Sequence, residues 1–153
     1  MTDSDRSHGH PRSTAQIGGH PIHPMLVPFP IVCFIGTLVT DLVFLNNGDA
    51  GWATASRYLL GIGLVMAALA AFAGLTDFMG DDRIRRSSTA LQHMIANVAA
   101  VVLELVNFFL RLNGDGQIGS VGVYLSAATV LVLVFSGWKG GDLVFRQGVG
   151  VRD

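Results

Sequence analysis

Three histidines and one aspartate stand where ligand chemistry is conceivable. His20 and His23 lie in Gly19-His20-Pro21-Ile22-His23-Pro24, His93 lies in an apolar stretch, and Asp77 closes another. Neutral imidazole is a ligand for haem iron and for transition-metal ions. Haem needs two axial ligands facing one another, and His93 with His20 or His23 would supply them. A metal ion needs three or four ligands, and His20, His23, His93 and Asp77 would serve. The cofactor expectation is therefore haem b or a transition-metal ion. Prolines at 21, 24, 28 and 30 are expected to hold an extended, rigid strap that prevents regular helix before about Pro30.

A second set of polar residues shares one helix face. At 100° per residue, Asn97 lies about 40° from His93, Glu104 about 20°, Asn107 about 40° the other way, and Arg111 almost on the same line. His93, Asn97, Glu104, Asn107 and Arg111 thus form a polar seam that must avoid lipid. Asp41 is a plausible neighbour for its outer half. Interhelical polar contacts can also be simple glue, worth about 0.6 kcal/mol on average.

The elements that position these residues follow from hydropathy. The chain has 153 residues, 50% hydrophobic and 14% charged, with mean hydropathy +0.50 and net charge −1. Such a composition is far from that of soluble domains, which carry about 25% charge. It excludes disorder for most of the chain and argues against a nucleic-acid partner. One cysteine permits neither an intrachain disulfide nor a thiolate cage. Four long stretches lack Asp, Glu, Lys and Arg: 13–40, 58–76, 87–103 and 116–138. Crossing a bilayer takes about 20 apolar residues, which predicts helices over about 26–46, 55–78, 88–112 and 117–139. Period-two alternation is absent, so a barrel is disfavoured. Short connections predict an up-down four-helix bundle spanning 17–153, after a disordered polar tail at 1–16.

Four spans put both termini on one side. That side carries eight Lys and Arg (Arg6, Arg12, Arg83, Arg85, Arg86, Lys139, Arg146, Arg152) against Arg57 and Arg111 on the other. The positive-inside rule then predicts cytoplasmic termini in a bacterial inner membrane. Trp52 and Trp138 read as interface anchors, and Gly63, Ala67 and Ala71 are spaced for close helix packing. Gly114-Asp115-Gly116-Gln117-Ile118-Gly119 fits a dinucleotide fingerprint by letter only, since no strand precedes it. No nucleophile–base pair supports hydrolysis, which argues against an enzyme.

The motifs resemble a known family. Gly18-Gly19-His20-Pro21-Ile22-His23-Pro24-Met25-Leu26-Val27-Pro28-Phe29-Pro30 is similar to the opening signature of the bacterial membrane family called domain of unknown function 2231. The likeness continues through Gly51-Trp52-Ala53-Thr54-Ala55-Ser56, Gly74-Leu75-Thr76-Asp77-Phe78, the His93/Asn97 pair, Gly137-Trp138-Lys139-Gly140-Gly141 and Val149-Gly150-Val151. The resemblance implies four transmembrane helices and no established activity. Similar members read Tyr-Arg-His near the closing motif, where this chain has Phe145-Arg146-Gln147.

Three functions compete on these residues: a histidine-based cofactor site near the cytoplasmic face, a structural or partner-binding module, and a proton or ion path along Asp41, Glu104, Asn97 and His93. The expected surroundings are the lipid bilayer, with a homo-oligomer or a membrane partner protein as further possibilities.

Overall fold

The computed structural model describes residues 10–11 and 13–151. Four helical spans are long and apolar enough to cross a membrane: Ile22–Asn47, Ala50–Gly80, Ser88–Arg111 and Ile118–Phe145. The first comprises a short helix α1 (Ile22–Leu26) running into α2 (Pro28–Asn47). Then come α3 (Ala50–Gly80), a connecting turn of helix α4 (Asp82–Arg86) and α5 (Ser88–Arg111). A π-helical turn (Ile118–Gly122) leads into α6 (Val123–Phe145). A small antiparallel ribbon, β1 (Gln16–Ile17) and β2 (His20–Pro21), precedes α1. Gly18 and Gly19 turn it, both with positive φ, the backbone a two-residue hairpin loop demands.

Side chains at the helix starts occupy the first backbone donors, which have no intrahelical partner. Asp49 accepts from the Gly51 amide, Asp81 from the Arg83 amide, and Ser87 from the Ala90 amide. Gly48 ends α2 at φ 72°, as a left-handed helix stop favours glycine.

The prolines do not hold the first histidine motif extended. Only His20 and Pro21 are extended, and His23 sits inside a helical turn. Pro24 falls in the first turn of α1, and Pro28 and Pro30 in the first turn of α2. Backbone amides there would lack an intrahelical acceptor anyway, so proline costs nothing. The Val27 amide still reaches the His23 carbonyl at 3.1 Å and keeps the two helices nearly continuous.

Packing divides the bundle into two helical hairpins. α2 packs chiefly on α3, and α5 on α6, while contacts between the hairpins are sparser. Gly63 lets α2 and α3 approach closely: a Cβ there would lie 2.7 Å from the Phe34 ring and 2.9 Å from Cys33 Cβ. Apolar clusters fill two levels, Phe34, Leu60 and Ala67 near mid-span and Ile84, Ala90 and Leu143 at one end. Large apolar side chains such as Phe72, Leu131 and Val134 face outward, as lipid requires. Thr37 and Thr40 donate to carbonyls of their own helix one turn earlier, which satisfies a hydroxyl where water is absent.

The chain ends meet at the level of Ile84, called the strap end below. The Gly150 amide donates to the Pro11 carbonyl at 2.9 Å. Within the tail expected to be unstructured, residues 1–9 and 12 lie outside the described residues. Residues 13–15 are held on α3. Ser13 is buried, and its hydroxyl and the Thr14 and Ala15 amides donate to Asp77 Oδ1 at 2.8, 2.8 and 2.7 Å.

Candidate functional site

Two polar levels interrupt the apolar interior. Nearer the strap end, His23 of α1 and His93 of α5 meet across the two hairpins. Their ring centroids are 6.1 Å apart and their planes nearly perpendicular, at 87°. Each ring is anchored within its own hairpin. His23 Nδ1 stands 2.8 Å from the Ala70 carbonyl, and His93 Nδ1 stands 2.8 Å from the Ser136 carbonyl. A carbonyl can only accept, so both rings carry a proton on Nδ1. The Ser136 hydroxyl is 3.1 Å from the same His93 nitrogen.

The two Nε2 atoms differ. His93 Nε2 lies 3.0 Å from Asn97 Nδ2. The same Asn97 nitrogen donates to the His93 carbonyl at 3.0 Å, which fixes the amide's orientation. His93 therefore accepts at Nε2 and is neutral in this arrangement. His23 Nε2 forms no hydrogen bond with any described residue, and in this tautomer it bears a lone pair.

Glycines shape the pocket for both rings. A Cβ on Gly74 would lie 2.8 Å from His23 Nδ1, and one on Gly140 would lie 3.1 Å from His93 Cε1. Only a residue without a side chain lets an imidazole reach the carbonyl of an adjacent helix so closely.

Two of the expected ligands do not join this pair. His20 is exposed on the hairpin, paired in register with Ile17. Asp77 spends one carboxylate oxygen on the Ser13–Ala15 segment. Among the described residues, no group of three or more His, Cys, Asp or Glu is placed to hold a metal ion. Of His20, His23, His93 and Asp77, the described arrangement brings only His23 and His93 together.

The second polar level lies toward the opposite end. Arg111 is buried, 1% exposed, and forks onto both oxygens of the buried Asp41, at 2.7 and 2.6 Å. Ser56 and Ser126 donate to the same carboxylate. Asn107 accepts from Arg111 Nε at 2.9 Å and donates to Glu104 at 2.9 Å. Asp41 and Ser56 belong to the first hairpin, and Glu104, Asn107, Arg111 and Ser126 to the second. The level therefore bolts the hairpins together with a paired charge.

The polar seam of α5 is consequently two patches. Between Asn97 and Glu104 stand Val98, Ala99, Ala100, Val101, Val102 and Leu103, a rise of about 10 Å without a polar side chain. Sequence reasoning had not singled out Ser56, Ser126 or Ser136. An oppositely charged pair inside two spans was the available signal, since a buried guanidinium needs several acceptors.

Gln147 follows α6. Its side-chain oxygen accepts from the Ser87 hydroxyl at 2.8 Å. Ser87 caps α5 about 9 Å along the axis from His93, so this position serves the connection between α4 and α5.

Comparison with known proteins gives one assignment. The family described as "Predicted membrane protein (DUF2231)" matches residues 19–153. The chain belongs to this family. No curated protein matches the chain, and no solved structure does. This DUF2231 member is accordingly a multi-pass membrane protein whose four spans lie in a lipid bilayer.

Proposed function

We propose that this DUF2231 chain holds a b-type haem through His23 and His93. The spacing of the two rings carries the reading. A haem would ask the protein for two imidazoles facing one another, which His23 and His93 would supply across the hairpins. Here the centroids are 6.1 Å apart. A bare ion needs one or two further protein donors, and among the described residues no third His, Cys, Asp or Glu joins the pair. A porphyrin brings four nitrogen donors of its own and asks the protein for two.

The donor chemistry fits as well. Both imidazoles donate from Nδ1 to a carbonyl, the outer-shell bond that orients a ligating histidine and raises its basicity. The glycine notches at 74 and 140 seat the rings. Asn97 holds His93 Nε2 in the structure described, and His93 would have to give up that hydrogen bond to hold an iron. When bound, haem supplies one-electron exchange; the chain supplies two oriented imidazoles between two hairpins.

The charge distribution supports an orientation. Arg83, Arg85, Arg86, Lys139 and Arg146 cluster near the strap end, whereas Arg111 is withdrawn into the interior and leaves Arg57 at the other end. We infer that the strap end faces the cytoplasm of a bacterial inner membrane.

The test is the visible spectrum of detergent-purified full chain produced in haem-replete cells and, separately, mixed with hemin. A Soret band that shifts on dithionite reduction is expected. His23→Ala or His93→Ala should abolish it, and His20→Ala should leave it. A colourless protein under both conditions overturns the reading.

One observation favours a structural reading as the alternative. The Asp41–Arg111 level ties the hairpins without any ligand, and the histidine level can do the same. On that reading the two alanine variants lower thermal stability and change no spectrum. The path reading gains nothing from the dry interval between Asn97 and Glu104.

A further inference from the structure

A groove of about 550 Å³ runs along the junction of the hairpins, between α3 and α5. Its floor and walls are apolar, with Phe108 on one side and Ile62 and Val65 on the other. Gly61 deepens it, because a Cβ there would already touch the Phe108 ring at 3.4 Å. Polar groups gather at one end only: Thr54, Arg57 and Tyr58. That end lies near the start of α3, beside the interface residue Trp52.

We propose that this groove binds one acyl chain of an anionic phospholipid, with the lipid phosphate on Arg57. Length decides between a lipid and a helix. From Thr54 to Met66 the groove follows α3 for about 18 Å, close to half of a hydrocarbon core about 30 Å thick. It stops near the middle of Ala50–Gly80. A partner helix would continue across the bilayer, whereas a lipid tail ends at the midplane.

Charge selects the headgroup. The Arg57 side chain is 41% exposed, and its contact with Asp115 is 3.5 Å. A charge-assisted bond is normally about 2.7–2.9 Å, so this pairing is loose and leaves donors for a phosphate. Tyr58 and Thr54 line the same end of the groove. Guanidinium binds phosphate in a planar fork, and an anionic lipid adds attraction that a zwitterionic one lacks.

The experiment is native mass spectrometry of the full chain, stripped of lipid and titrated with phosphatidylglycerol, phosphatidylcholine or diacylglycerol. One phosphatidylglycerol should bind at least about tenfold more tightly than either competitor. Arg57→Gln should erase that preference, and Gly61→Leu should remove the site. Arg57→Gln alters only a part-exposed side chain, so its result stands even if Gly61→Leu fails to fold. Equal binding of diacylglycerol overturns the phosphate contact. A phosphatidylglycerol preference unchanged in Arg57→Gln overturns the site. A dimer that Gly61→Leu dissolves, with no bound lipid, assigns the groove to a second copy and also overturns it.

Discussion

The two polar levels solve the same problem in opposite ways. Both carry polar side chains into a bilayer, and both bridge the same two hairpins. At the second level the Asp41–Arg111 pair closes on itself: both carboxylate oxygens are bonded, and two serines and an asparagine fill in around the guanidinium, while Glu104 Oε1 beside it has no hydrogen-bond partner among the described residues. The histidine level remains open. Its Nδ1 donors are spent on carbonyls, its Nε2 atoms are turned to accept, and that of His23 receives no hydrogen bond from any described residue. An ion pair bonded at both oxygens is a fastener. An oriented imidazole with a spare lone pair, seated in a glycine notch, is a ligand held ready.

The largest effect should come from opening the closed level. Arg111→Met leaves Asp41 buried without its partner, and removing one member of a buried pair costs about 3–5 kcal/mol. Asp41→Leu combined with Arg111→Met removes both members of the ion pair and should recover most of that loss. Denaturant unfolding in detergent micelles measures both. If Arg111→Met unfolds at the same midpoint as the parent chain, the level is no fastener and the contrast collapses.

The seam on α5 and the four spans were legible in the sequence because both rest on periodicity and length. Asp41 and Arg111 were legible too, since an ionised group in lipid must find its opposite. The serines were not: a serine in an apolar helix can satisfy itself on its own backbone, so its presence says nothing about a neighbour. Helix limits slipped where terminal chemistry decides them. α3 begins at Ala50 because Asp49 caps it, and α6 runs on to Phe145, past Trp138 and Lys139, because side chains at a helix end reach for the interface. The prolines misled for a reason of position. They break a helix from its interior and cost nothing in its first turn. Asp77 was read as a ligand because a carboxylate at a span end resembles one; only the placement of Ser13–Ala15 reveals that it is already engaged.

A smaller effect should show that the open level depends on shape. Gly74→Ala places a Cβ 2.8 Å from His23 Nδ1. The ring must move, and overpacking of this kind costs about 1–3 kcal/mol. Gly137→Ala is the matched control: nothing lies within 4 Å of its Cβ, and the gain in helix propensity should be worth up to about 1 kcal/mol. Thermal melts of the two variants should therefore move in opposite directions. Parallel shifts would mean that the close approach to the imidazole is not what Gly74 provides.

The smallest effect concerns Gln147, just beyond α6. If a histidine at this position were a ligand, Gln147→His should alter any spectrum of the purified protein. The geometry argues otherwise. Gln147 accepts from Ser87, and an imidazole nitrogen can accept the same bond. We expect a stability change within about 0.5 kcal/mol, as for substitutions that keep their one contact, and no change in the absorption of hemin-loaded protein. A new band, or a gain in hemin affinity, would show that the loop can deliver a third imidazole to the open level, and that His23 and His93 are not its full complement.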